Sequence, residues 1–220
     1  NAFIPEEYWT LDVDLQIPGE KKPLVAKFYG DENGKRTIRS KEEMDGILAE
    51  LKDADYQVLE VKKGERTKKA PLPFTTSTLQ QEASKVLNFS TQKTMRLAQQ
   101  LYEGVDVKGS GTVGMITYLR TDSTRISEEA QSAAAEYISA TFGEEYKAVS
   151  EAKKTNSNKI QDAHEAIRPT DITRTPAAIK DSLSRDQFRL YQLIWKRFTA
   201  SRMQPAKYET TAVKIGAGEY

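Results

Sequence analysis

The order of two hydrophobic periodicities is the feature that most limits how this chain can fold. Apolar and polar residues alternate from Leu11 to Ile17, which predicts a half-buried strand, and alternation returns from Thr210 to Ile215. Between these segments the apolar residues recur mainly at helical spacing. The pattern predicts a multidomain α and β fold, in which a β-rich domain (residues 1–75 and 206–220) is interrupted by a mainly α-helical domain (residues 76–205).

Cap signals locate the helices within this pattern. Ser40 with Glu43, and Ser184 with Gln187, have the spacing of capping boxes at helix N-termini. In the helical domain, two short helices are separated at Asn88-Phe89, and the second ends at Gly104.

A strand-like stretch from Val113 to Leu119 follows these two helices. The arrangement predicts a winged-helix-like helix-turn-helix with a strand beside it. Lys62 to Lys69 concentrates charge and turn-forming residues, so a linker or hinge is expected there. The same stretch is a weak candidate for contacting phosphate, although such runs are usually solvated loops.

Composition excludes several classes of protein. Lys and Arg number 33 against 32 Asp and Glu, so the formal charge of +1 does not by itself suggest nucleic-acid binding. Without cysteine, neither a disulfide framework nor a thiolate zinc site is possible, and a cytoplasmic location is expected. No apolar run reaches the roughly 18 residues of a membrane span. The start without Met and the end after a strand-like stretch suggest cuts within a larger polypeptide.

The most informative stretch surrounds Tyr118. On a strand, period 2 would place Tyr118 and Arg120 on one face, with Ile116 in the same row. A phenol has a pKa of about 10, so attack on phosphorus needs a cation that favours the phenolate and stabilises charge on the phosphoryl oxygens. Arg120 is suited to both tasks, whereas a tyrosine without such a neighbour is usually a core or interface ring.

Tyr118-Leu119-Arg120-Thr121-Asp122-Ser123 resembles the active-site signature of the type IA DNA topoisomerases. Asp162 to Thr170 is similar to a family segment near that site, and Pro73 to Gln81 to the segment that leads into the tyrosine-bearing domain. Ala98 to Gly104 fits the helix that precedes the tyrosine. The resemblance covers nearly the whole chain. Because Leu119 is not proline, the motif is closer to bacterial topoisomerase I than to topoisomerase III.

The resemblance implies a function for each matched residue. Tyr118 would cleave one DNA strand by becoming joined to its 5′ phosphate, let another strand pass and then permit resealing, which relaxes negative supercoils without ATP. Arg120 would be the second catalytic residue. Five residues would contact DNA or support the active site: His164, Arg168, Thr121, Asp122 and Ser123. The β-rich domain would be the arch of the enzyme.

No metal site is expected in this sequence. In the family the acidic residues that bind Mg2+ lie in an N-terminal Toprim domain, and this chain matches the part after it. Mg2+ would therefore be a cofactor of the full-length enzyme only, and the isolated chain would not relax DNA. Asp12-Val13-Asp14 imitates a Toprim pattern, but the surrounding alternation makes both carboxylates the polar face of an ordinary strand.

The implied partner is single-stranded or underwound DNA, bound by a monomer that does not contact a membrane. A different class of function stays open at this point. The chain would then be a non-catalytic module, structural or binding single-stranded DNA, in which the helix-turn-helix holds the strand and Tyr118 only packs.

Overall fold

The computed structural model describes residues 3–148 and 164–220. The chain forms two compact units, Asn1–Arg66 with Glu209–Tyr220, and Thr67–Tyr208. These divisions differ from the domain limits predicted from the sequence, 1–75 with 206–220 and 76–205. A compact unit is defined by contacts and not by function, so the domain assignment stays a prediction.

In chain order the helices and strands are β1 (Asp12–Leu15), β2 (Leu24–Lys27), β3 (Gly30–Asp31), β4 (Gly34–Lys35), α1 (Lys41–Lys52), β5 (Tyr56–Lys68), α2 (Thr76–Glu82), α3 (Thr91–Glu103), β6 (Val105–Val107), β7 (Gly111–Val113), α4 (Glu128–Phe142), α5 (Pro176–Ile179), α6 (Arg185–Ser201) and β8 (Ala206–Ala217). A π-helical turn, Ala83–Leu87, follows α2, and short 3-10 turns follow α4 and α5.

The first unit consists of strand pairs and one helix. β1 pairs with β2 and β3 with β4, both antiparallel. Along β1 only alternate residues are partly buried, so Asp12 and Asp14 lie on the exposed face as the alternation predicts. The core of this unit is formed by α1 residues together with Ile38 and Ala217.

The predicted linker or hinge at Lys62 to Lys69 contains the limit between the two units, at Arg66 and Thr67, but its backbone is not a loop, because β5 continues to Lys68 and pairs with β8. Gly64 lies beside Thr210 and Gly216 beside Leu59, so the two strands run antiparallel. Every residue of β5 is exposed. A two-stranded ribbon with both faces in solvent tolerates charged side chains. A run of charged residues is therefore compatible with a strand here as well as with a loop.

The second unit contains the helices. Its main core joins α2, α3 and α6 with the β6–β7 hairpin. It includes four fully buried side chains: Leu79, Leu101, Leu190 and Ile194. A smaller cluster of α4 and α6 residues lies next to it. Between α2 and α3 the chain turns at Asn88, whose left-handed φ of 57° ends the first helix as predicted.

The N-caps predicted at Ser40 and Ser184 are confirmed, and Ser90 and Ser127 cap α3 and α4 in the same way. Ser40, Ser90, Ser127 and Ser184 each accept a hydrogen bond from the backbone N–H three residues later. At Ser184 the capping box is closed by Gln187. The box at Ser40 is incomplete, because the Glu43 carboxylate does not accept from the Ser40 N–H. It accepts from the Arg39 N–H instead and forms an ion pair with Arg36.

The fold is mixed α and β with small antiparallel sheets, which confirms the predicted class at that level. Within the described ranges, no helix has the length and apolar character needed to cross a bilayer.

Candidate active site around Tyr118

The predicted strand from Val113 to Leu119 is wrong. β7 ends at Val113, and in the stretch from there to Leu119 Ile116 makes an isolated bridge, with Pro169. Proline has no N–H, so the pairing cannot continue as a ladder through that residue. The backbone bends at Thr117 and again at Leu119 and Arg120.

Thr117 fixes the site segment on one side. Its N–H donates to the Arg168 carbonyl at 2.9 Å. Its hydroxyl donates to the Ala166 carbonyl at 2.7 Å and accepts from the Arg168 N–H at 3.0 Å. A side-chain oxygen therefore takes the place of a backbone acceptor, which binds the segment to residues 166–168 without regular strand pairing.

Thr76, in the first turn of α2, fixes the segment on the other side. The Thr76 hydroxyl donates to the Leu119 carbonyl at 2.7 Å and accepts from the Thr121 N–H at 2.9 Å. The Thr76 N–H donates to the Thr121 carbonyl at 2.9 Å. The backbone on both sides of Tyr118 is thus held by hydrogen bonds from elements distant in sequence.

The sequence predicted that Ile116, Tyr118 and Arg120 share one face of a strand, and the exposure of these side chains corrects part of that prediction. Leu119 is 1% exposed and packs into the main core, whereas Tyr118 is 43% exposed and Arg120 is exposed as well. Ile116 is 1% exposed, so it does not continue a row with Tyr118 and Arg120. Exposed, buried and exposed side chains alternate from Tyr118 to Arg120, but the bends at Thr117, Leu119 and Arg120 interrupt an extended backbone, so this alternation is not that of a regular strand.

Tyr118 lines an open cavity of about 280 Å³. Six described residues form its walls: Tyr102, Thr117, Tyr118, Thr121, His164 and Glu165. The Tyr118 ring meets the Tyr102 ring edge-on, with centroids 5.4 Å apart and an interplanar angle of 69°. The centroid of the His164 ring lies 6.5 Å from that of the Tyr118 ring. The two segments that carry the strongest family motifs therefore meet at this cavity.

Glu165 is the carboxylate of the cavity wall and is bound to Arg168. The Arg168 Nε and Nη2 both donate to Glu165 Oε2, at 3.0 and 2.7 Å, and the side chains of Arg168 and Glu165 are 13% and 17% exposed. Desolvation by itself would raise the pKa of Glu165. Hydrogen bonds from Arg168 and Ser127, with the charge of Arg168, outweigh desolvation and hold the pKa of Glu165 below its ordinary value.

This ion pair predicts a pH-dependent contribution to stability. Because the folded-state pKa of Glu165 is lowered, its contribution is present above the unfolded pKa, near 4.3, and is lost as pH falls through the folded pKa. We expect Glu165→Gln to lower the free energy of unfolding at pH 7 by about 1.5–3 kcal/mol, the range for hydrogen bonds to a charged group.

Thermal unfolding of wild type and variant between pH 7 and pH 3 measures this effect. The difference in melting temperature should shrink as pH falls below the ordinary carboxylate pKa. Glu136→Gln on the exposed face of α4 is the matched control and should show no such trend. A Glu165→Gln difference that stays constant over the whole range would contradict the assignment.

The five predicted support residues occupy different positions. His164 and Thr121 line the cavity, and Arg168 lies behind it, where it orients Glu165. Thr121 and Ser123 are 9% and 8% exposed, and their hydroxyls accept backbone N–H groups two residues later, which shapes the turn. Asp122 is exposed.

Arg120, Asp122 and Ser123 are not among the described residues that line the cavity. Asp162 and Ala163, the first residues of the His164 motif, lie outside the described residues.

Tyr102, Thr117 and Glu165 were not predicted as site residues. Glu165 follows His164 in the same motif, so proximity in sequence could have indicated it. Tyr102 is at the end of α3, and only the close docking of that helix brings it to Tyr118. The Gly114 backbone permits this approach, since a Cβ there would lie 2.9 Å from the Tyr102 carbonyl oxygen.

The donor set does not fit a magnesium site. Across residues 3–148 and 164–220, no group of three or more His, Cys, Asp or Glu side chains could hold a metal ion. Mg2+ prefers several oxygen ligands in octahedral geometry, and the carboxylate on the cavity wall is already paired with Arg168.

Comparison with known proteins gives consistent matches. A family model described as DNA topoisomerase matches residues 1–220. The solved structure of full-length topoisomerase I from Thermotoga maritima is similar to this chain, with 37% sequence identity and a TM-score of 0.72. The match covers 99% of this chain and 35% of that protein, so the chain spans about a third of the length of this relative.

Proposed function

The chain belongs to the bacterial DNA topoisomerase family, in its type IA branch, and we propose that Tyr118 is the nucleophile with which the whole enzyme cleaves one strand of DNA. By whole enzyme we mean a polypeptide of the Thermotoga relative's length that includes these residues.

The observation that carries the proposal is the position of the Tyr118 side chain. Its phenol is 43% exposed on a cavity, while a hydrogen bond from the Thr117 hydroxyl to the Ala166 carbonyl and one from the Thr121 N–H to the Thr76 hydroxyl hold the backbone around it. Tyr191 shows the opposite arrangement. It is 0% exposed, its hydroxyl donates to the Arg174 carbonyl at 2.7 Å, and desolvation raises its pKa far above the ordinary value. A tyrosine that only packs resembles Tyr191, whereas Tyr118 is open to a phosphate.

The proposed reaction is a transesterification. The Tyr118 Oη attacks a backbone phosphorus, the Oη–P bond forms and the P–O3′ bond breaks. The phenol proton passes to water, and the departing 3′ oxygen takes up a proton to become a hydroxyl. The phosphodiester energy is kept in the 5′-phosphotyrosine, so resealing is the reverse attack by the 3′ hydroxyl and needs no ATP.

We assign Arg120 and His164 to contacts with the DNA phosphates. Arg120 would bind phosphoryl oxygens, where a guanidinium can donate two parallel hydrogen bonds. His164, beside the Tyr118 ring, would contact the DNA backbone next to the cleaved bond. Mg2+ remains an expectation for the Toprim part of the whole enzyme, and no step above passes through it.

The finer description of the parent enzyme is also a proposal. Residues 1–75 with 206–220 would be the arch domain, and 76–205 the tyrosine-bearing domain. The β6–β7 hairpin follows the two helices of the helix-turn-helix, which supports a winged-helix-like description. The enzyme would act as a cytoplasmic monomer on single-stranded or underwound DNA, and would relax negative supercoils by strand passage.

A labelling experiment tests the proposal against a non-catalytic DNA-binding or structural module. A single-stranded oligonucleotide is labelled at its 3′ end or at its 5′ end, incubated with the whole enzyme and denatured with detergent. We expect the 3′ label to migrate with the protein and the 5′ label to appear on a shorter free fragment. A 5′ label on the protein would contradict the stated bond cleavage, and no adduct with either label would favour the non-catalytic module.

A further inference from the structure

Tyr102 makes a direct ring contact with the proposed nucleophile. It lies in the last turn of α3 and is 40% exposed. Its ring meets that of Tyr118 at 5.4 Å and 69°, an edge-to-face arrangement. Aromatic pairs prefer this geometry because the positive edge of one ring meets the negative face of the other. The contact restricts how the Tyr118 ring can rotate.

The position of Tyr102 is set by the backbone of both elements. The Met115 N–H donates to the Leu101 carbonyl at 2.7 Å, and both side chains are 0% exposed. The absence of a Cβ at Gly114 lets that backbone lie against the Tyr102 carbonyl oxygen. The end of α3 is therefore docked on the segment that carries Tyr118, within three residues of each ring.

We propose that Tyr102 is a positioning residue, whose ring holds the Tyr118 ring in the orientation from which Oη can attack phosphorus in line. This inference rests on the proposed function of Tyr118. It assigns the effect to the aromatic ring of Tyr102 and not to its hydroxyl. The two possible roles of Tyr102 predict different effects of its replacement. An orienting residue changes the rate of attack, whereas a residue that stacks on DNA changes the affinity for an unpaired base.

The test compares Tyr102→Phe with Tyr102→Leu in the whole enzyme. The single-turnover rate of oligonucleotide cleavage and the DNA dissociation constant are measured for each. Phe keeps the ring, so cleavage should stay within about twofold of wild type. Leu removes the edge contact, so cleavage should slow on the order of tenfold with an unchanged dissociation constant. Tyr146 is a similarly exposed tyrosine of the same unit, so Tyr146→Leu is the control and should cleave at the wild-type rate.

Three results would overturn the proposal. Wild-type cleavage by Tyr102→Leu would show that the ring contact has no effect on the rate. A loss of DNA affinity equal to the loss of rate would make Tyr102 a DNA contact. A Tyr102→Phe variant as slow as the Tyr102→Leu variant would assign the effect to the hydroxyl. The Phe substitution is conservative, so this variant should fold. Failure of the proposed function is recognised separately, because the wild-type enzyme would then form no adduct, or Tyr118→Phe would still form one.

Discussion

Replacing Tyr118 by Phe should abolish the covalent protein–DNA adduct. The substitution removes only the hydroxyl, so the ring contacts with Tyr102 and His164 and the hydrogen bonds that hold the neighbouring backbone remain. No other atom at that position can form the ester bond with phosphorus. DNA affinity, measured by fluorescence anisotropy with a single-stranded oligonucleotide, should change by less than about twofold, since phosphate contacts from cationic groups dominate affinity.

The matched control is Tyr146→Phe, which removes the hydroxyl of another exposed tyrosine of the same unit. It should form the adduct at the wild-type rate. Adduct formation by Tyr118→Phe would refute the assignment of the nucleophile. Loss of both adduct and affinity would indicate that the Tyr118 hydroxyl acts in binding and would support the non-catalytic alternative.

Arg120→Lys is expected to have the second largest effect. Removal of a preorganised donor that stabilises developing charge typically lowers a rate about 100- to 1,000-fold, or about 3–4 kcal/mol of barrier. Lysine keeps the positive charge but cannot make the paired hydrogen bonds of a guanidinium. The single-turnover cleavage rate should therefore fall within that range, while oligonucleotide affinity changes much less.

Arg185→Lys, at the exposed start of α6, is the control for a general loss of arginine and should leave the rate unchanged. If Arg120→Lys cleaves at the wild-type rate, bidentate binding is wrong and Arg120 provides only positive potential. The structure makes this test informative, because Arg120 is exposed next to Tyr118 but is not among the described residues on the cavity wall.

Local features of the fold could be predicted because local interactions determine them. Ser184 and Gln187 close a capping box with atoms only three residues apart, and Gly104 ends α3 at a φ of 123°. The alternation along β1 likewise matches its partly buried face. Each of these features depends on neighbouring residues, and the sequence pattern contains all of them.

The conformation of the Tyr118 segment could not be predicted in this way. Its β propensity suggested a strand, but the hydrogen-bond partners of its backbone are Thr76 in α2 and residues 166–168, about 45 and 50 positions away. Pro169 then limits the strand-like pairing that Ile116 makes. The family motif indicated Tyr118 and His164, and Glu165 could have been inferred from its place beside His164. Tyr102 joins the site only because the fold brings three segments together at the cavity.

The central claim is that Tyr118 itself carries the DNA. Peptide mapping of the trapped adduct by mass spectrometry tests it most directly, because Tyr102 and Tyr118 line the same cavity and either phenol could be modified. After nuclease and protease digestion of the whole enzyme trapped on single-stranded DNA, we predict a 5′-linked nucleotide on Tyr118 and none on Tyr102. A nucleotide on Tyr102 or on any other residue, with Tyr118 unmodified, would contradict the account.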